Sequence, residues 1–299
     1  MVPQAKRPDR TVRLGVAAKL RHQRSEGERM PESLTVAIGG LGAIGAHLAR
    51  ALDAGIEGLA LAAVAARDPA KAERTLAGFR RPPAIVALRE LAERADVVVE
   101  AAPAAVFEEI AGAAIERGRI FVPASVGALL PRMHLVERAR ATGARIVVPT
   151  GALLGLDAVR AAAEGDVASV SIETRKPPRG LAGAPYLEEN GIDVSDVREA
   201  VRVFAGNAFD AARGFPANVN VAAALALAGI GPERTRVEIW ADPGVTRNTH
   251  TIRVEAAAAR LTMTIENVPS EANPRTGLIT PLSILACLRG LTSTLKVGS

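Results

Sequence analysis

The chain has 299 residues, 48% hydrophobic but only 3% aromatic, so it can bury a substantial core that must be built from Ala, Val, Leu and Ile. Its formal charge of +5 sits in residues 1–29, where eight basic side chains face three acidic ones; the remainder is neutral, which removes the case for a nucleic-acid-binding body. No apolar run approaches the roughly 18 residues a membrane helix needs, no secretory signal is visible, and the lone Cys287 excludes an intrachain disulfide or a cysteine metal cluster, so a soluble, cytoplasmic protein with neither membrane nor nucleic-acid partner is expected.

The leader, 1–29, lacks hydrophobic periodicity and is expected to be disordered; Met30-Pro-Glu-Ser, directly before the first strand, is a candidate natural start. From Leu34 the chain reads as a short buried strand that breaks into Gly40-Leu-Gly42-Ala-Ile-Gly45 and then a helix over Ala46–Ala54. Gly40 permits a tight turn, Gly42 lets backbone approach a pyrophosphate, Gly45 lets helix pack on strand, and the helix N-terminus offers free N–H groups to an anion. Gly40, Gly42, Ala43, Ile44 and Gly45 are therefore the candidate dinucleotide contacts.

A second buried strand, Leu59–Ala66, precedes Arg67-Asp68-Pro69 and a helix over Ala70–Ala77. NAD-selective folds place Asp or Glu at this strand's end to bind the ribose hydroxyls. Here Ala66 and then Arg67 stand there, so a 2′-phosphate meets no repulsion and Arg67 can pair with it. NADP is expected to be accepted at least as well as NAD, with Asp68 the competing ribose ligand if the strand runs longer. Strands at Ala84–Ala87, Asp96–Ala102, Arg119–Pro123 and Ala144–Val148 alternate with helices at Leu88–Arg94, Ala104–Arg117 and Leu129–Ala141. That alternation predicts an α/β, Rossmann-type doubly wound parallel sheet.

From about Gly155 the pattern changes. A helix at Leu156–Ala163, an alternating strand at Ser169–Lys176, a loop over Gly180–Gly191 and helices at Val197–Ala212 and Val219–Ala228 lead to strands at Thr235–Trp240, Thr249–Ala256 and Leu261–Glu266. This predicts a second, α+β domain with a largely antiparallel open sheet. The expected plan is a leader (1–29), a dinucleotide-binding domain (30–154) that a C-terminal helix within 277–299 returns to complete, and a substrate and dimerisation domain (155–276).

His250 is the most informative titratable residue: it shares a strand face with Ile252 and Val254, near Asp242, Arg247 and Asn248. A histidine so placed is partly desolvated and suits proton transfer at a near-neutral pKa. Asn218 and Asn220 open an apolar helix, one of them as a cap. Lys176, and the loop carrying Asn267, Asn273, Arg275 and Thr276, can supply donors to a carboxylate. Neither an HExxH motif nor a cysteine-histidine spacing occurs, so no metal is expected.

With Val36–Gly45, Ser125-Val-Gly-Ala-Leu, Gly151-Ala152, Lys176-Pro-Pro, Phe215-Pro-Ala-Asn-Val-Asn-Val, Asp242-Pro-Gly-Val-Thr-Arg-Asn-Thr-His250 and Glu266-Asn-Val-Pro-Ser in place, the chain resembles the L-aspartate dehydrogenases from Met30 to its C-terminus. The resemblance implies a Rossmann domain, a homodimer formed through the substrate domain, and NAD or NADP as cofactor. It makes His250 the catalytic histidine, and Ala152 and Asn220 cofactor contacts near the nicotinamide. Lys176, Arg247 and Asn248 are candidates for the two substrate carboxylates. The implied reaction oxidises L-aspartate to iminoaspartate, which hydrolyses to oxaloacetate and ammonia or feeds NAD biosynthesis. A related amine or imine oxidoreductase with another substrate, and a non-catalytic NADP(H)-binding sensor, are the competing functions.

Overall fold

The computed structural model describes residues 33–217, 219–270 and 277–298. The basic leader, Met30, Asn218, Asn273, Arg275 and Thr276 lie outside the described residues. Among those described, β1 (Leu34–Gly39), β2 (Leu59–Ala65), β3 (Ala84–Ile85), β4 (Val97–Glu100), β5 (Ile120–Pro123) and β6 (Arg145–Ile146) form one parallel sheet in the order β3-β2-β1-β4-β5-β6. Strand order reverses direction between β1 and β4, and ligands of such sheets bind in the crevice beyond the strand ends at that point.

The sheet is covered on both faces, which is why its strands are nearly all apolar. On one face Phe107, Ile110 and Ile115 of α4 (Phe107–Glu116) pack with Phe121 and with Leu135 of α5 (His134–Thr142). On the other, Leu48 and Leu52 of α1 (Ala43–Ala54) meet Val36, Ile38 and Val64, joined by Ile284 and Leu288 of the C-terminal α10 (Ile279–Thr292). Each fully buried Leu, Ile or Phe contributes about 1.5–3 kcal/mol of transfer free energy, so the many small aliphatic contacts replace the missing aromatics. Half-buried Cys287 lies in this second core, and burial pushes its thiol up to about 11, the state of an inert packing residue.

The remaining, short helices are α2 (Pro69–Leu76), α3 (Leu91–Arg94), α6 (Leu156–Ala163), α7 (Pro185–Glu189), α8 (Ala208–Gly214) and α9 (Asn220–Ala228). The second sheet comprises β7 (Val167–Lys176), β8 (Val201–Asn207), β9 (Thr235–Ala241), β10 (Asn248–Ala256) and β11 (Arg260–Asn267) in the order β11-β10-β7-β9-β8. Its junctions are antiparallel except β7 with β9, which is parallel. One face, with Val170, Ile172, Val237, Ile239, Ile252 and Val254, packs beneath α6, α8 and α9. Val221–Ala226, six of the nine residues of α9, are buried, as its all-round apolar sequence requires.

The helices expected over Ala104–Arg117 and Leu129–Ala141 start later, at Phe107 and His134, behind 3-10 turns, and four further expectations change. The helix expected over Val197–Ala212 is a strand followed by a helix: Val201 and Val203 favour extended backbone, β8 pairs with β9, and the Asn207 side chain accepts from the Asp210 N–H at 2.9 Å to cap α8. The expected loop Gly180–Gly191 contains α7, started by Pro185 and anchored by Tyr186, whose ring meets Phe204 edge-on at 5.2 Å. The first helix begins at Ala43 rather than Ala46, which draws Gly45 into its first turn. The segment Leu88–Arg94 is a 3-10 turn, Leu88–Glu90, running into the short α3.

Candidate active site

Three strands of the second sheet change character at the same end. Along the buried face of β7, Val170 and Ile172 give way to Thr174 and Lys176; along β10, Val254 and Ile252 give way to His250 and Asn248. On the neighbouring β11, Met263 and Ile265 give way to Asn267. Register aligns these changes: Thr174, His250 and Ile265 are cross-strand partners, and the next rung holds Asn248 opposite Asn267. Where the buried face turns polar it stops being core and becomes the wall of a crevice of about 250 Å³. Lys176, Asn248, His250 and Asn267 face it from the sheet.

The opposite wall comes from the dinucleotide-binding side. Ile44, Ala124, Val126 and the Pro149–Ala152 turn line it, with Asn220, Val221 and Ala224 of α9 and Thr280 and Ile284 of α10 closing the sides. Gly40 turns the chain at φ +100°, a conformation that favours glycine. At Gly42 a Cβ would meet nothing within 4 Å, and α1 starts without any side-chain cap, so its first-turn N–H groups remain available to an anion. These features fit a dinucleotide whose pyrophosphate lies over the turn.

His250 is only 3% exposed, and its Nδ1 lies 2.9 Å from the hydroxyl of Thr174, a residue that is also 3% exposed. Burial, and then the neighbouring Lys176 ammonium, push the imidazole down from 6.5 to about 3. The near-neutral value expected from sequence is thus corrected: burial disfavours the imidazolium, among the described residues no carboxylate is hydrogen-bonded to the ring, and the free protein carries a neutral histidine. When Nδ1–H donates to Thr174 Oγ1, Nε2 bears the lone pair and can act as a base; once Nε2 is protonated both ring nitrogens carry hydrogens, and Nδ1–H goes on donating to the hydroxyl oxygen.

Asp242, close to His250 in sequence, serves elsewhere. It accepts from Arg175 Nη1 at 3.0 Å and from the Gly244 N–H at 2.8 Å, which ties the β9 turn to the opposite face of the sheet. Arg247 is exposed and does not line the crevice, whereas Asn248 and the buried Lys176 do. Asn220 does not cap its own helix with its side chain; Oδ1 accepts from the Gly127 N–H at 2.9 Å, leaving Nδ2 to donate. The Ala152 carbonyl accepts from Asn267 Nδ2 at 3.0 Å, and Asn267 Oδ1 is a buried acceptor without a partner among the described residues. Arg67 is exposed just beyond β2, and Asp68 caps α2, its Oδ1 accepting from the Lys71 N–H at 3.0 Å.

Two buried polar residues beside the crevice escape a reading based on motifs. Thr174 follows from the period-two alternation of β7, and Glu100 was signalled by an acid ending the run Val97-Val98-Val99. Glu100 is wholly buried, and burial raises its carboxyl above the ordinary range against the opposing pull of hydrogen bonds from Ser125, Ala102 and Ala124.

The family described as "Aspartate dehydrogenase, C-terminal" matches residues 157–291, and that described as "Homoserine dehydrogenase, NAD binding domain" matches residues 40–149. An L-aspartate dehydrogenase of Bradyrhizobium diazoefficiens is 57% identical, over 89% of this chain and 94% of its own. L-aspartate dehydrogenase 3 of Bordetella bronchiseptica is 51% identical, over 90% of this chain and 98% of its own. The crystal structure of aspartate dehydrogenase from Thermotoga maritima superposes with a TM-score of 0.69 at 26% identity, covering 89% of this chain and 99% of that one. With both halves of the chain matched and relatives aligned nearly end to end, this protein belongs to the L-aspartate dehydrogenase family.

Proposed function

We infer that the protein is an NAD(P)-dependent L-aspartate dehydrogenase, converting L-aspartate to iminoaspartate, which hydrolyses to oxaloacetate and ammonia. The observation that carries this is one crevice shared by the nucleotide side, through Ile44, Ala152 and Asn220, and by the polar strand ends Lys176, Asn248 and His250. The nicotinamide, when bound, takes up the hydride from the substrate α-carbon. Lys176 and Asn248 supply a cation and an amide for the substrate carboxylates. Asn220 Nδ2 and the Ala152 backbone orient the ring side of the site. His250 Nε2 accepts the proton that leaves the amine, or that of the water attacking the imine; burial is the larger cause of its lowered pKa, and substrate carboxylates beside Lys176 offset the smaller share due to that ammonium. Assays of a panel of amino acids, and of keto acids with ammonia, should find aspartate and oxaloacetate turned over fastest; a better substrate pair overturns the assignment.

The cofactor choice leans to NADP. Asp68 is engaged in capping α2, and the side chain exposed at the end of β2 is the cation Arg67, which suits a 2′-phosphate. Wild-type kcat/KM with NADP should equal or exceed that with NAD. Arg67→Glu should lower it roughly tenfold relative to NAD, as expected for losing a hydrogen bond to a charged group. A strong wild-type preference for NAD counts against this. The same function carries a homodimer assembled through the second domain; light scattering should give twice the chain mass, and a monomer overturns it.

A further inference from the structure

Glu100 ends β4 with 0% of its surface exposed. An ionised carboxylate in such a place is costly, and an apolar side chain like the three valines before it would serve packing alone better. Three donors converge on it instead. Oε1 accepts from the Ala102 N–H and the Ser125 hydroxyl, both at 3.0 Å, and Oε2 from the Ser125 N–H at 2.9 Å. These donors follow β4 and β5, so the carboxylate clamps together two loops that leave the sheet beside the crevice. Ala124 and Val126, on either side of Ser125, line that crevice.

The clamp extends one step further. From Ser125 the chain makes a 3-10 turn, Val126–Ala128, in which the Gly127 N–H donates to Asn220 Oδ1 at 2.9 Å. The fit leaves no slack: a Cβ on Gly127 would stand 2.5 Å from Val219 Cγ1 and 3.2 Å from Asn220 Oδ1. Displacement of Ser125 therefore displaces the partner that fixes the Asn220 amide.

We propose that Glu100 is a positioning residue for the nicotinamide end of the cofactor site, acting through Ser125 and Gly127 on the orientation of Asn220. This rests on Asn220 being a nicotinamide-side contact. Glu100→Gln keeps the size of the side chain but presents one oxygen and an NH2 group to three converging donors. NADPH binding, followed by fluorescence titration, should weaken about tenfold in Glu100→Gln, the scale of leaving buried donors unpaired. Ser125→Ala, which removes one donor and spares the carboxylate, should weaken it less, and it remains informative if Glu100→Gln does not fold. The decisive measurement is the cycle with Asn220→Ala. If Glu100 acts through Asn220, Glu100→Gln or Ser125→Ala adds little once Asn220 is alanine. Additive losses, or unchanged affinity in both Glu100→Gln and Ser125→Ala, overturn the proposal while leaving Asn220 as a contact. Unchanged affinity in Asn220→Ala alone removes the contact itself, and the proposal with it.

Discussion

His250→Ala lowers kcat for aspartate oxidation by about 10²–10⁴-fold, the usual worth of a positioned acid/base group, and leaves NADPH binding unchanged. The expectation follows from placement. The imidazole stands where the buried face of β10 turns polar, with Nδ1 held by Thr174 and Lys176 close enough to depress its pKa. Its only described side-chain hydrogen bond is to a hydroxyl, so removing the ring deletes a proton acceptor and breaks no ion pair. A loss of less than about tenfold sinks the assignment.

The same group predicts a pH dependence whose sign is fixed. The unfolded chain binds a proton at His250 near 6.5, whereas the folded chain does so only at about 3. Between those values the unfolded state holds more protons, so the histidine's contribution to stability is whole above pH 6.5 and is lost as pH falls through the window to about 3. Melting temperature measured across that range should fall less steeply in His250→Ala than in the wild type. Parallel slopes would mean that the ring is solvated and free to charge.

How much of this was legible in the sequence depends on how local each feature is. The Rossmann half is written locally: glycines at 40, 42 and 45 punctuate buried strands, and the order β3-β2-β1-β4-β5-β6 follows from right-handed crossovers. The polar end of the second sheet was also legible, since period two places Thr174 and Lys176 in line with Ile172, and Asn248 in line with His250. The segment 197–212 misled because Ala-rich flanks surround Val201 and Val203, and only pairing with β9 decides for a strand. What stayed hidden is long-range. The pKa of His250 is set partly by Lys176, and the partner of Asn220 is Gly127, 93 residues earlier.

Two glycines of the opening turn separate binding from folding, and alanine at each gives opposite signatures. At Gly45 a Cβ would lie 1.8 Å from the Gly40 carbonyl oxygen and 3.2 Å from Ile38 Cγ2. Gly40 cannot retreat, because its own φ of +100° and the Ala101 carbonyl, 2.5 Å from where its Cβ would be, confine the turn against the exit of β4. Gly45→Ala must therefore shift α1 away from β1, an overpacking cost of typically about 1–3 kcal/mol. That shift carries the first-turn N–H groups out of register with any anion. Both the melting temperature and NADPH affinity should fall. At Gly42, by contrast, a Cβ meets no protein atom within 4 Å and φ is an ordinary −72°, so the fold tolerates alanine. The added methyl group projects into the space that a pyrophosphate needs, and Gly42→Ala should lose cofactor affinity at an unchanged melting temperature. Retained affinity in Gly42→Ala would place the pyrophosphate elsewhere; an unchanged melting temperature in Gly45→Ala would show that the turn and helix can part without cost.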